Sequence, residues 1–417
     1  MDQSTEKTNF RVLHVVPSLE LEQGGLPVAA YSLARWSNKF PGIEVNLISQ
    51  ARDLADTIEL YPECLRPHIL LSGRIDTVFG WSMRKKIKSI LKNHAPDIIH
   101  VHGLWVSSSF WAADLALDHG VPLVIHPHGM LEPWALQQKS IKKKIALKTY
   151  QRRMLERAAI LVATSEVELQ SLRDLGFNRP IAILPHGVDV HLATQEQKKQ
   201  VIGGRRKALF MSRIHPKKGL LELMDAWREI SKEFPNWDLQ IAGGFNDKGY
   251  FTKVKKFVLD NKLSGSVFFL GHISSDLRHA VMADADLFVL PSFSENFGLV
   301  VLDALSNGLP VITTKATPWT ELGKTGVGWS TEVGIEPLKD ALRHAMKLPH
   351  HVLIEMGQAG VEYSKRFSWA HSADKLVKVY RWLHGSDICP DFVRLLSSNN
   401  QHLSKKLDNF FSEPLRK

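Results

Sequence analysis

Cys64 and Cys389 are the only cysteines in 417 residues. Two thiols cannot build a disulfide framework or a thiolate zinc site, and such sparing use fits a reducing cytoplasm. Long apolar runs are also missing. Stretches such as Asp286-Leu-Phe-Val-Leu290 fall far short of the ~20 residues that a membrane-crossing helix needs. The opening Met1-Asp-Gln-Ser-Thr-Glu-Lys7 has no basic segment followed by an apolar core, so no export signal is expected. Neither a repeat of about 20–50 residues nor a low-complexity tract is visible. With 44% hydrophobic and 23% charged residues, disordered, collagenous and coiled-coil classes are excluded. Two or three domains are expected, because single cores stop growing near roughly 250–300 residues.

What the chain does have is positive charge. Lysine and arginine number 53 against 43 acids, a net charge of +10 with histidine neutral. A basic surplus suits nucleic acid, an anionic membrane surface or phosphorylated small molecules. Much of it gathers in Lys139-Ser-Ile-Lys-Lys-Lys-Ile-Ala-Leu-Lys148 and continues through Arg152, Arg153 and Arg157, with Glu156 the only acid. At helical spacing Leu147, Tyr150, Met154 and Ala158 form one stripe, the face expected to pack on the first domain. The cations around it form either a solvated face or a membrane-facing patch. They are not interleaved with aromatics in a nucleic-acid-binding pattern, so no nucleic-acid partner is expected.

Short apolar or β-branched runs alternate with helix-length segments along the chain. Arg11–Val16, Val45–Ile48, Ile98–Val101, Leu123–His126, Ile160–Thr164 and Ala182–Leu184 read as strands. So do Ala208–Met211, Leu239–Ala242, Val267–Leu270, Leu287–Leu290 and Val311–Thr313. This alternation is the sequence form of βαβ units and parallel sheets, so the fold class is α/β. Polar residues near 190–206 mark a boundary. The expected division is a first domain over 1–190, a linker over 191–206 and a second domain over 207–365. A crossover helix over 366–384 and a loosely attached tail over 385–417, with one or two short helices, follow. Two such domains are expected to face a central cleft at the carboxyl ends of their strands.

Three clusters carry chemistry. Pro17-Ser-Leu-Glu-Leu-Glu-Gln-Gly-Gly25 joins the first strand to the first helix. Gly24 and Gly25 would let backbone N–H groups approach an anion or a sugar there, or serve a plain helix-entry turn. Met211-Ser-Arg-Ile-His-Pro-Lys-Lys-Gly-Leu220 puts Arg213, Lys217 and Lys218 at the end of a buried strand. A fork-shaped guanidinium and a point-charge ammonium there can share the charge of a diphosphate. Pro291-Ser-Phe-Ser-Glu-Asn-Phe-Gly-Leu-Val-Val-Leu-Asp303 is the third and most specific. It places Glu295 in a loop and the free N–H groups of Asn296, Phe297 and Gly298 at a helix entrance, which favours phosphate. Asp303 lies about two turns on, too far to form a carboxylate dyad with Glu295.

Glu295-x7-Asp303 after Leu-Pro-Ser-Phe-Ser, with Ser212-Arg-Ile-x4-Gly219 and Pro185-His-Gly-Val-Asp189, resembles the retaining, nucleotide-sugar-dependent glycosyltransferases of family four. The resemblance runs from about Val12 to Leu383. It takes in Gly24-Gly25, Pro127-His-Gly-Met-Leu-Glu-Pro-Trp134, Leu270-Gly-His-Ile273 and Thr317-Pro-Trp319. It implies the GT-B fold: two Rossmann-like domains about an active site, with a last helix that returns to the first domain. It also implies residue roles. Arg213 and Lys218 would bind the donor's diphosphate, and Glu295 the hydroxyls of the transferred sugar. The backbone of Asn296, Phe297 and Gly298 would hold phosphate oxygens, with Gly24, Gly25 and His272 also on the donor side. His128 matches the histidine that reaches the donor sugar near the reacting carbon. Asp303 would bind the ribose, although the family usually has glutamate there. One methylene fewer predicts a looser or water-bridged contact.

The implied reaction transfers a sugar from a UDP- or GDP-linked donor to a glycan or glycolipid hydroxyl with retention, in polysaccharide or lipopolysaccharide assembly. The expected setting is the cytoplasm, or the inner membrane face reached through 139–157. No cofactor or metal is expected: His126 and His128 could chelate, but spacing gives them no third ligand. His100 and His102 read as histidines packed at a sheet edge, and Trp105, Trp111 and Trp134 as core or acceptor-pocket walls. A sugar-nucleotide epimerase, a phosphorylase of the same fold or a non-catalytic binding protein are the competing readings.

Overall fold

The computed structural model describes residues 10–20, 24–52, 65, 67–93, 95–138, 140–188, 204–245 and 247–395. The chain forms two units: residues 1–186 with 369–417, and residues 187–368. Asp189 and most of the expected linker lie outside the described residues.

The first unit is built on an eight-stranded sheet. Its strands are β1 (Phe10–Ser18), β2 (Ile43–Ala51), β3 (His68–Leu71), β4 (Ile98–His102), β5 (Leu123–His126), β6 (Ile160–Ala163), β7 (Ile181–Ile183) and β14 (Val393–Arg394), in the order β14-β7-β6-β5-β4-β1-β2-β3. All neighbours are parallel except β14, which runs antiparallel to β7. The central strands are buried on both faces, as a sheet covered by helices on both sides requires. Val12, Leu13, Val15 and Val16 of β1 are each at most 1% exposed.

The helix Trp369–Leu383 belongs to this unit and packs on the helix Gly25–Ser37. Among its buried residues Trp369, Ser372, Leu376, Tyr380 and Leu383 recur every three or four positions, one face of a helix. The segment after it departs from expectation. Instead of a loose helical tail, Val393 and Arg394 add a strand to the exposed side of β7, and Arg173 Nη2 donates to the Arg394 carbonyl at 2.9 Å. Two residues suffice because β7 offers an unpaired edge that the chain can cap locally. Residues 396–417 lie outside the described part.

The second unit holds β8 (Arg206–Met211), β9 (Trp237–Ala242), β10 (Val267–Gly271), β11 (Leu287–Leu290), β12 (Val311–Thr314) and β13 (Gly328–Thr331). Their order is β10-β9-β8-β11-β12-β13, all parallel. The helix Leu220–Glu233 lays Leu220, Leu223, Met224, Trp227 and Ile230 on this sheet, where Trp227 is fully buried. That one ring is worth about 3 kcal/mol of burial. The chain enters and leaves this unit side by side: Val188 N–H donates to the Phe367 carbonyl at 2.8 Å, and Val188 bridges Ser368.

In both sheets the winding reverses beside the first strand. The reversal falls between β8 and β11 in one and between β1 and β4 in the other. At such a switch point the two following loops diverge, leaving a crevice at the strands' carboxyl ends where ligands bind in open α/β sheets.

Candidate active site

The loops after β8 and β11 meet at the second unit's switch point. Phe293 N–H donates to the Lys217 carbonyl at 2.8 Å, tying one loop to the other. Gly219 makes this approach possible. It sits at φ 67°, and a Cβ there would stand 2.1 Å from the Pro291 carbonyl oxygen. Within the junction Lys218 Nζ lies 2.5 Å from Glu295 Oε1, and Ser292 Oγ donates to the same oxygen at 2.6 Å. Both charged side chains are largely buried, at 12% and 9% exposure. Burial alone would raise the Glu295 pKa, but Lys218 and Lys217 beside it hold the carboxyl below its ordinary value. Arg213 is exposed and makes no hydrogen bond or ion pair among the described residues. His215 registers the local field: burial lowers its pKa, and Arg213, Lys218 and Lys217 push it further down.

Beyond Glu295 the helix Leu299–Ser306 begins on Gly298, at φ 77°. Trp319 Nε1 donates to the Phe297 carbonyl at 2.5 Å, so the Trp319 indole pins the turn that presents this helix start. The Phe297 ring packs on Trp319 and Phe367, leaving its backbone as the part that can meet a ligand. Asp303, on the same helix, accepts from Arg278 Nη1 at 3.1 Å. His272 is exposed after β10, its Nδ1 3.7 Å from where a Cβ on Gly244 would stand. The arrangement is one buried acid, a ring of cations and a helix N-terminus. It can hold a diphosphate while the acid takes hydroxyls.

The first unit's switch point is made differently. Gly24, at φ 87°, caps the helix Gly25–Ser37, and Gly25 is exposed at its start. Next to it lie histidines. His100 and His102 stand on β4, an interior strand and not an edge, and both are fully buried. His14 Nδ1 lies 2.9 Å from His102 Nε2, and His102 Nδ1 lies 3.0 Å from His128 Nε2. His128 is half-buried in the left-handed region, at φ 54°. Glu168 holds the turn, with its Oε1 accepting from Gly129 N–H at 2.5 Å. Burial drives His14 to a pKa of about 3 and keeps His100, His102, His126 and His128 well below the ordinary histidine value. Among these rings the structure supplies the third nitrogen that spacing had not offered: His102, His126 and His128 each bring one within 4.8 Å of the others. Both nitrogens of His102 and one of His128 already face neighbouring rings in hydrogen bonds.

Two family models divide the chain between them: Glycosyltransferase Family 4 matches residues 23–192, and Glycosyl transferases group 1 matches 193–366. The chain belongs to glycosyltransferase family four. A GDP-mannose:cellobiosyl-diphosphopolyprenol alpha-mannosyltransferase of Xanthomonas campestris is 25% identical to this family-four chain over 395 residues, covering 92% of it and 100% of the relative. A D-inositol 3-phosphate glycosyltransferase of Mycolicibacterium smegmatis is 27% identical over 300 residues, 68% of this chain and 67% of that one. Among solved structures, sucrose-phosphate synthase from Thermosynechococcus elongatus superposes with a TM-score of 0.76 at 19% identity, covering 90% of this chain and 100% of its own. Anabaena HepE in complex with UDP and glucose gives 0.70 at 19%, covering 89% and 99%. The fold is GT-B.

In this glycosyltransferase the structure brings Lys218, Glu295, Asn296, Phe297 and Gly298 to one switch point. Gly24, Gly25 and His128 belong to the other unit. Ser292, Arg278 and Trp319 complete the second site; Ser292 falls inside the quoted Pro291–Asp303 run and Trp319 inside Thr317-Pro-Trp319, while nothing in the sequence marked Arg278. His14 and Tyr380 are further members of the first site. Nothing local marks either residue, because their partners lie 88 to 366 positions away.

Proposed function

We propose that the chain is a retaining, metal-independent transferase. In this reading it moves a sugar from a UDP- or GDP-linked donor to a hydroxyl of a glycan or glycolipid acceptor at an anionic membrane face. The Lys218–Glu295 pair at the foot of the Gly298 helix start carries the reading. The anomeric C–O bond to the diphosphate breaks as the acceptor oxygen bonds to the same carbon from the same face. The departing phosphate oxygen takes the acceptor's proton. Arg213, Lys218 and the N–H groups at the helix start stabilise the negative charge that builds on the leaving group. A preorganised donor of this kind is worth about 3–4 kcal/mol. Those fixed positive groups are why a divalent ion is not required. Glu295, kept ionised by its cations, accepts from sugar hydroxyls.

Support for a lipid-linked acceptor comes from the mannosyltransferase relative, whose name specifies a diphosphopolyprenol. The first unit adds an apolar and basic surface. Ile75, Val78, Phe79 and Trp81 are 51–67% exposed, beside the helix Trp81–Asn93 with Lys85, Lys86 and Lys88. In the basic stretch Met154 and Ala158 are buried as expected, while Ile141 and Ile145 stand 74% and 59% exposed among lysines. Among the described residues no helix is long and apolar enough to cross a membrane.

Melting in EDTA with UDP, GDP, ADP and their sugar conjugates tests the donor. A ligand at ~100 times its Kd adds about 2.7 kcal/mol. Stabilisation by one nucleotide series without metal is expected. No response to any of them, or donor consumed without any acceptor, overturns the reading. Flotation with anionic and neutral vesicles tests the membrane part, and absence from both removes it.

A further inference from the structure

Beneath His128 runs a single file of hydrogen bonds that the transfer reaction as proposed does not use. His100 Nδ1 lies 2.6 Å from the Tyr380 hydroxyl, and that hydroxyl lies 2.9 Å from His14 Nε2. The file continues through His14 Nδ1 to His102 Nε2 and from His102 Nδ1 to His128 Nε2. The distances are those of ordinary hydrogen bonds. The two nitrogens at its ends, His100 Nε2 and His128 Nδ1, are buried and have no hydrogen-bond partner among the described residues. Parallel pairing sets this up: His14 is level with His100 across β1 and β4, and His102 with His126 across β4 and β5. Tyr380 reaches in from the helix Trp369–Leu383.

Counting hydrogens constrains the file sharply. A neutral imidazole has one N–H and a tyrosine one O–H. Five groups, each with one hydrogen, are joined by four hydrogen bonds, so one hydrogen is left over. It sits at one end so long as the Tyr380 hydroxyl donates within the file; turned to accept from both His100 and His14, that hydroxyl would keep the spare hydrogen with no bond to make among the described residues. Either every bond points toward His128, whose Nδ1 then carries the spare hydrogen, or every bond points away and His100 Nε2 carries it. In the first arrangement all four histidines bear their hydrogen on Nδ1; in the second, all four bear it on Nε2. Any other mixed arrangement leaves a bond with two hydrogens or with none. Burial favours the uncharged rings this count assumes, as the lowered pKa values of His14, His100, His102 and His128 indicate.

We propose that His102, His14, Tyr380 and His100 are positioning residues for His128, which lock its tautomer to their own and so decide whether His128 Nδ1 offers or accepts a hydrogen bond. The inference rests on the reading that His128 faces the donor sugar, and it adds how that ring is prepared. A ligand oxygen that needs a donor selects the first arrangement; a hydroxyl that needs an acceptor selects the second. Interconversion takes one proton from His128 Nδ1 and adds one at His100 Nε2, both exchanged with water, while each bonded hydrogen crosses its own bond. His126 lies outside the file. Its ring stacks on His128 with centroids 3.7 Å apart and holds that ring in plane.

The test is nitrogen-15 NMR of the ligand-free full chain labelled at histidine, near neutral pH, where Nδ1–H and Nε2–H forms are distinguished directly. Expected are four uncharged rings, at 14, 100, 102 and 128, in one common tautomer. Opposite tautomers within the four, or any of them carrying two N–H groups, overturns the proposal. Tyr380→Phe removes the one hydroxyl in the file. It should free His100 to differ from the other three, which stay alike. If Tyr380→Phe fails to fold, the measurement on the unaltered chain decides alone. Since no ligand is needed, a common tautomer together with no nucleotide response would leave the file standing and sink the donor assignment.

Discussion

Across their first six strands the two sheets have the same order, with the third, second and first strands followed by the fourth, fifth and sixth. Yet their switch points are furnished oppositely. In the second unit a buried ion pair and exposed cations occupy the crevice, so the groups there are charged and kept charged. In the first unit the crevice is floored with imidazoles that burial keeps uncharged. Topology therefore chooses the place, and the few residues on the loops choose the electrostatics. A diphosphate needs fixed positive charge. A ring that meets hydroxyls needs directionality and gains little from a charge it would have to desolvate.

The most disruptive way to test this contrast is to break the ion pair. Lys218→Met leaves Glu295 buried without its cation and should cost about 3–5 kcal/mol. Urea unfolding should show it, with Lys218→Met/Glu295→Gln recovering most of the loss. Arg213, exposed and unpaired, is the cleaner probe. Arg213→Ala should lower kcat by about 100- to 1,000-fold at unchanged melting temperature, and near-normal turnover would remove it from the leaving-group site.

Acid sharpens the comparison next. Rings whose folded pKa is depressed contribute stability that is present above the unfolded value of about 6.5. That stability is lost as pH falls toward the folded values, which for His14 and His186 are about 3. In this window the unfolded chain binds more protons, so stability drops by up to about 1.4 kcal/mol per pH unit per histidine. The first unit should unfold at a higher pH than the second, followed by fluorescence or hydrogen exchange. His126→Phe should flatten the slope. Coincident acid unfolding of both units with no change in that variant would contradict the account. The smallest effect belongs to Arg278→Ala. Its pair with Asp303 is 43% exposed on the arginine side, so stability should change by less than about 1 kcal/mol. Nucleotide affinity should shift instead, because Asp303 loses the Arg278 guanidinium.

Much of the second site was legible because its residues are close in sequence. Ser212 to Gly219 and Pro291 to Asp303 are two continuous loops, each following a buried apolar run. The strands followed from the same runs; β3, β13 and β14 were missed. His68–Leu71 is largely exposed, Gly328–Thr331 is opened by a glycine and mostly half-buried, and β14 is two residues long, so none carries a strong pattern. The first site resisted because its geometry is non-local. His100 and His102 share a strand face, which period two reveals, but the strand's central position does not follow from its own residues. Tyr380 reads as one more apolar position of an amphipathic helix. Its hydroxyl is functional only because that helix docks 366 positions away from His14.

That docking has a consequence for the order of events on the ribosome. Residues 187–368 form an unbroken stretch whose ends are paired to each other, so this unit can close as soon as it has emerged. The unit that begins at the amino terminus must wait, because its packing is finished by Trp369–Leu383. The first half to be translated is thus the last to mature. A nascent chain arrested before residue 369 should hold a folded second unit beside an incomplete first one, with the histidine file still lacking its tyrosine.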